Sequence, residues 1–237
     1  MFISKELLLT GCNAIGLTLD DAAVDRFDTY ARLLVSYNEK VNLTAITAPD
    51  EIVNKHFTDS LYLAKYIPMT EGLSLCDVGT GAGFPGAALL CAFPGLRVTM
   101  FDSVNKKLDF LRMLTAELGL SAEIVTVRAE NAGRDTGYRG SFDVATARAV
   151  AQLNVLSEFC LPLVKIGGVF APMKAPLSEE ERQRGIGAAA NLGGKLERDE
   201  HYAIPDGADR EILLFRKNEA TAKKYPRPFA QISKKPL

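Results

Sequence analysis

The sequence predicts an α/β protein: a mostly parallel, twisted sheet with helices on both faces, preceded by a helical extension. Three observations lead there. From residue 73 onward, short apolar runs alternate with segments of helical period, the rhythm of parallel strands joined by crossover helices. A glycine-rich turn separates the first such run from the first helix that follows it. Before residue 68 the pattern is helical throughout.

The elements follow in order. A short helical pattern holds Lys5 and Glu6. Val24, Phe27, Tyr30, Ala31, Leu34 and Tyr37 then recur at three and four residues, placing one apolar face on a helix, and Asp20 and Asp21 stand at its start, where carboxylates cap free amides. Val53, Phe57, Leu61 and Ala64 mark a second long helix over 49–67. Between the two, Asn38 and Asn42 suit a turn. Strands are expected at 73–78, 97–101, 123–127, 142–147, 168–173, 196–204 and 211–216. Helices are expected at 85–93, 104–118, 152–164 and from Ser178 onward. This divides the chain into a helical extension (1–68), a core (69–217) and a basic tail (218–237).

Composition excludes several classes. With 47 % hydrophobic and 24 % charged residues, the chain has the makeup of a folded protein rather than a disordered one. No apolar run reaches the roughly 18 residues of a membrane helix. Cys12, Cys76, Cys91 and Cys160 are far apart, so neither a disulfide framework nor a metal site is expected, and a reduced, cytoplasmic setting is. The formal net charge of −1 conceals an asymmetry: residues 216–237 hold seven basic side chains and one acid, a local +6 that leaves −7 for the rest. A polyanion meets the local charge, not the average.

The glycine-rich turn carries two overlapping motifs. Gly81-x-Gly83-x-x-Gly86 matches a dinucleotide fingerprint, in which a pyrophosphate rests on a helix N-terminus. Asp77-x-Gly79-x-Gly81-x-Gly83, with an acid at the strand end, is the pattern of S-adenosylmethionine-dependent methyltransferases of Rossmann-like, class I fold. A carboxylate suits a cationic methionyl end and would repel a pyrophosphate. Asp102, ending the second strand, would accept hydrogen bonds from a ribose diol, which both cofactors carry.

Beyond this turn the chain resembles the RsmG (GidB) family of bacterial small-subunit rRNA methyltransferases. The resemblance is carried by Tyr37-Asn38-Glu39-Lys40-Val41-Asn42-Leu43-Thr44-Ala45-Ile46, His56-Phe57-Thr58-Asp59-Ser60 and the glycine-rich turn. It continues in Asp102-Ser103 with Lys106-Lys107-Leu108-Asp109-Phe110-Leu111, Arg128-Ala129-Glu130, Arg148-Ala149-Val150-Ala151 and Tyr225-Pro226-Arg227. The chain departs from the family pattern at Asn131, at Lys174-Ala175 and over 228–232.

The resemblance implies methyl transfer from S-adenosylmethionine to N7 of a guanine in the 530 loop of 16S rRNA, presented as rRNA or as the 30S subunit. It places cofactor contacts on Gly79, Phe84, Ala129, Glu130 and Arg148, with Phe84 closing the pocket. Together with the motif residues, the expected cofactor set is Asp77, Gly79, Gly81, Gly83, Phe84, Asp102, Ala129, Glu130 and Arg148. Guanine N7 is an unprotonated lone pair, so positioning rather than a general base is expected; Arg148, His56 and Lys174 are the candidates near the reaction. Cys160 follows Phe159 in a helical pattern and reads as buried rather than nucleophilic. Lys106 and Lys107 read mainly as a solvated helix face. Lys223, Lys224, Tyr225, Arg227, Lys234 and Lys235 are the RNA-binding candidates, since interleaved aromatics can stack on unpaired bases. A monomer without a protein partner is expected.

Overall fold

The computed structural model describes residues 1–148 and 151–237, so Ala149 and Val150, within one of the words above, lie outside the described residues. Seven strands form one sheet in the order β3-β2-β1-β4-β5-β7-β6. They are β1 (Ser74–Val78), β2 (Arg97–Asp102), β3 (Ala122–Thr126), β4 (Phe142–Arg148), β5 (Val164–Lys174), β6 (Gly194–Ala203) and β7 (Asp209–Lys217). All the pairings from β3 across to β5 are parallel, and β7 runs antiparallel to both its neighbours. The antiparallel step follows from connection length. Residues 204–208, with Gly207 at φ 87°, make a tight turn, whereas a parallel pairing would need a crossover of a dozen residues or more.

The chain reverses its direction of travel across the sheet between β1 and β4, and open α/β sheets bind ligands at such a switch point, outside the carboxyl ends of the strands. Apolar side chains cover both sheet faces. One face is covered by α6 (Gly86–Ala92) and α7 (Asn105–Glu117) together with the N-terminal helices α1 (Lys5–Ala14) and α2 (Asp21–Asn38). The other is covered by α9 (Leu153–Cys160), α10 (Glu179–Asn191) and α11 (Phe229–Lys234). Caps fix several helix starts: Ser4, Asp20 and Ser178 each accept from an amide three residues on.

The segment expected as one helix over 49–67 is broken. It runs through α3 (Pro49–Ile52), a π-helical turn (Val53–Thr58), α4 (Asp59–Leu61) and α5 (Leu63–Tyr66). The wider turn changes the angular spacing of its side chains, so a 3.6-residue reading misplaces them. His56 and Asp59 sit in this turn and just after it. Apolar periodicity also misses α8 (Ala129–Ala132) and α11, which are four and six residues long.

Candidate cofactor and substrate site

The glycine-rich turn is built from within. Asp77 is fully buried, and its Oδ2 accepts from Thr80 Oγ1 (2.7 Å) and Gly86 N (2.8 Å). Burial lifts its carboxyl to about 6, against these two bonds. Asp102 Oδ2 accepts from Gly81 N (2.9 Å) while its Oδ1 accepts from Val104 N (2.9 Å). Gly79 and Thr80 donate to Phe101 O, and Gly83 and Phe84 to Thr80 O. The amides of a pyrophosphate cradle are thus occupied, two of them by carboxylates that would repel an anion. The dinucleotide reading of Gly81-x-Gly83-x-x-Gly86 fails on this ground.

Two of these glycines answer to space rather than ligand. A Cβ on Gly86 would stand 2.9 Å from Asp77 Oδ2. One on Gly83, where φ is 102°, would stand 2.5 Å from Tyr30 Oη and 2.8 Å from Leu111. The Tyr30 hydroxyl in turn donates to Ala82 O, tying α2 to the turn.

Two cavities open at the carboxyl edge of the sheet. The first, about 410 Å³, is lined by Gly79 after β1, Asp102 and Ser103 at the end of β2, Arg128, Ala129 and Glu130 after β3, and Arg148 at the end of β4. Lys107, Phe159 and Phe229 complete its walls. The second, about 480 Å³, has an apolar side of Ile46, Met173, Pro176 and Leu177 and a charged side of Lys55, Asp59, Arg148, Lys174, Glu181 and Arg210. His56 lines it as well. Arg148 lines both.

Arg148 is held firmly. Its Nη1 donates to Asp59 Oδ2 (2.8 Å) and Lys55 O (3.0 Å), its Nη2 donates to His56 Nδ1 (3.2 Å), and its guanidinium lies 5.0 Å from the Phe84 ring centre. Asp59, 3 % exposed, also accepts at Oδ1 from Tyr202 Oη (2.9 Å), with Arg210 Nε 3.7 Å away. One carboxylate of the N-terminal segment therefore ties together β4, β6 and β7. His56 Nε2 meets Thr44 Oγ1 at 2.9 Å, and Thr44 is set by Asn38, whose Oδ1 accepts from Leu43 N and Thr44 N. Burial, and then the positive charge of Arg148, push the His56 pKa down to about 3. The ring is neutral, with both nitrogens engaged.

Against the expected set, the first cavity gathers Gly79, Asp102, Ala129, Glu130 and Arg148. Asp77, Gly81 and Gly83 lie outside its lining and shape the turn; Asp77 Oδ2 is taken by the Thr80 hydroxyl and the Gly86 amide, and its Oδ1 is buried without a partner among the described residues. Phe84, expected to close the pocket, is instead stacked between Tyr30 (5.3 Å) and His56 (4.3 Å), behind Arg148. Of the reaction candidates, Lys174 lines the second cavity, where Nζ donates to Ala151 O (2.7 Å) and pairs with Glu181 (3.0 Å). Sequence patterns do not point to Tyr202 or Arg210; Tyr202 and Asp59 lie 143 residues apart, and no local pattern links them, whereas Phe229, read in sequence with Tyr225 as a stacking aromatic of the basic tail, lines the first cavity.

The tail requires two corrections. Arg227, expected on an RNA surface, donates from its backbone N, Nε and Nη2 to Glu158, whose side chain is wholly buried. Lys217, counted in the basic arm, is 2 % exposed and donates to Leu161 O, Leu192 O and Thr221 Oγ1; burial lowers its pKa to about 7. Lys223, Lys224, Lys234 and Lys235 are exposed, and Tyr225 is half-buried with Lys224 Nζ 5.1 Å from its ring centre.

A sheet of this order, with one antiparallel strand and a turn whose carboxylates fill its amides, defines a class I S-adenosylmethionine-dependent methyltransferase. Solved structures agree on the fold. A methyltransferase from Pyrococcus furiosus matches with a TM-score of 0.55 at 20 % identity, over 82 % of this chain and 99 % of that one. A 16S rRNA (adenine(1408)-N(1))-methyltransferase from Catenulisporales acidiphilia, with its cosubstrate, matches at 0.53 and 16 %, over 65 % and 89 %. The chain belongs to the rRNA small subunit methyltransferase G family, whose model matches residues 23–198. It is 43 % identical to the ribosomal RNA small subunit methyltransferase G of Lactococcus lactis over 99 % of this chain and 100 % of that one. It is 46 % identical to the protein of that name from Staphylococcus carnosus, over 93 % of each.

The residues of the first cavity fit the methyl donor of this class. Asp102 keeps lone pairs for a ribose diol, Phe159 and Phe229 offer apolar walls for a purine, and Glu130 is buried to 6 % on the wall. Among the described residues, the Glu130 carboxylate receives no hydrogen bond from the protein, which leaves it an acceptor for ligand N–H groups.

Proposed function

We propose that the chain transfers the methyl group of S-adenosylmethionine to N7 of a guanine in small-subunit rRNA, within the 530 loop. The observation that carries this is the pair of cavities meeting at Arg148, in a site whose one histidine is neutral and engaged at both nitrogens. Bound in the first cavity, S-adenosylmethionine supplies an electrophilic methyl group. A guanine flipped into the second would rest its plane against Met173, Pro176 and Leu177.

N7 attacks with its own lone pair and carries no proton to lose, so the reaction needs no base, and a histidine engaged at both nitrogens is consistent with that. Arg148 is the group poised at the junction. Held by Asp59, Lys55 O and His56, it is fixed in place before substrate arrives; holding N7 in line with the methyl group can supply about 7–11 kcal/mol of barrier reduction, and a fixed Arg148 would help set that alignment. Arg148 or Lys174 would donate to O6, the acceptor beside N7. The positive charge that the sulfonium loses passes to the guanine ring, so the site's net charge is unchanged by the transfer.

Outside the cavities, Lys223, Lys224, Lys234 and Lys235 would meet phosphates, with Tyr225 beside them. The substrate is 16S rRNA, alone or in the 30S subunit. Isothermal titration with S-adenosylhomocysteine, followed by incubation of 30S subunits with methyl-labelled donor, tests the reading. Binding and label in 16S rRNA are expected; binding with no label in any rRNA would instead favour an RNA-binding assembly factor that retains the cofactor fold.

A further inference from the structure

The last twenty residues are fastened to the core at many points. Arg139 donates to Gly133 O and Tyr225 O from Nη1 (2.8 Å each) and to Thr221 O from Nη2 (2.7 Å). Arg134 Nε donates to Pro226 O (2.8 Å), and Asn154 Nδ2 donates to Leu237 O (2.8 Å). The Glu158–Arg227 pair and the buried Ile232 complete the attachment. Held by this scaffold, Phe229 is nonetheless 46 % exposed, and it lines the first cavity. The Arg128 guanidinium lies 5.5 Å from its ring centre, which fixes the ring on the β3 side of the cavity mouth.

A large aromatic kept half in water by an anchored backbone lacks an apolar partner, and a flat ring is what would cover it. The position selects which part of a ligand that is. Asp102, the ribose acceptor, and the residues after β3 mark the nucleoside end, whereas Gly79 lies at the β1–β4 switch point. We propose that Phe229 forms a wall of the purine end of the cofactor cavity, which rests on the S-adenosylmethionine reading above. The C-terminal segment is then part of the cofactor site, and its attachment to the core is needed for cofactor binding as well as for stability.

The chain contains no tryptophan, so Phe229→Trp gives a single emitter at the position in question. Saturating S-adenosylhomocysteine should change that emission. Phe229→Ala, which removes an exposed ring and should melt close to the parent, should weaken S-adenosylhomocysteine binding about 5- to 150-fold by titration calorimetry, the range of aromatic–base stacking. The same loss should appear with 5′-methylthioadenosine, which lacks the amino-acid end. Unchanged affinity in Phe229→Ala while the parent binds normally would overturn the proposal, as would a loss seen with S-adenosylhomocysteine but not with methylthioadenosine. Weakened RNA binding with unchanged S-adenosylhomocysteine affinity would overturn it too, assigning the ring to RNA. A parent protein that binds neither nucleoside would overturn the cofactor reading itself.

Discussion

Replacing Arg227 by alanine separates a structural arginine from an RNA-binding one. The Glu158 side chain is wholly buried, and its two oxygens accept from Arg227 N (2.8 Å), Nε (2.9 and 3.2 Å) and Nη2 (2.6 Å). Truncation at Cβ leaves that carboxylate in the core with one backbone amide. Breaking a buried pair on one side costs about 3–5 kcal/mol. At this chain length each kcal/mol moves the melting temperature by about 2–4 °C, so a fall of roughly 6–20 °C is expected. Removing both charges in an Arg227→Met, Glu158→Leu double variant should restore part of it, because a well-packed apolar pair replaces a buried ionic one at little or no net cost, while the Arg227 amide is left without its acceptor. Differential scanning calorimetry measures both variants, and filter binding to rRNA, carried out well below both melting points, measures the second role. An Arg227→Ala protein that melts within about 2 °C of the parent yet binds RNA more weakly would place Arg227 on the RNA surface instead.

Three further outcomes follow from the geometry. His56 takes its proton near pH 3 when folded and near 6.5 when unfolded, so the unfolded chain binds more protons between these values and stability falls as pH drops through that window; His56→Gln should flatten the slope by up to one proton, read from chemical denaturation at stepped pH. Asp59 lines only the second cavity, whereas the Arg148 it holds lines both; Asp59→Asn should lower the methyl-transfer rate about 100-fold and weaken S-adenosylhomocysteine binding by much less, and equal loss in both would place Arg148 in cofactor binding alone. Lys223→Ala with Lys224→Ala should weaken rRNA binding and make its salt dependence shallower, by about 0.7–0.9 in logarithmic slope for each phosphate no longer neutralised; an unchanged slope would remove these lysines from the RNA surface.

The parallel sheet and its order of elements can be read from sequence because buried strands and crossover helices impose local periods. The glycine-rich turn is legible as a turn, and its strand-end acid favours the methyltransferase motif, but that Asp102 and Asp77 occupy Gly81 N and Gly86 N shows only in the folded chain. What escapes depends on long separation or on altered local geometry. The π-helical turn at Val53–Thr58 breaks the apolar period that predicts one helix, and it brings His56 and Asp59 against Arg148. Tyr202 and Arg210 reach Asp59 only through folding of β6 and β7 beside the N-terminal segment. The basic tail shows the limit of charge counting. Lys217 and Arg227 both add to the formal local charge, but one is buried among carbonyls and the other neutralises Glu158. The surface charge that RNA would meet comes from Lys223, Lys224, Lys234 and Lys235.

The atom that receives the methyl group distinguishes guanine N7 from every other acceptor. N7-methylation weakens the glycosidic bond of guanosine, so 16S rRNA recovered from 30S subunits treated with the protein and S-adenosylmethionine should gain one aniline-sensitive cleavage, at a guanine of the 530 loop, that is missing without the methyl donor. Label incorporated into 16S rRNA with no new aniline-sensitive site would rule out N7, since the methyl group would then be on another atom.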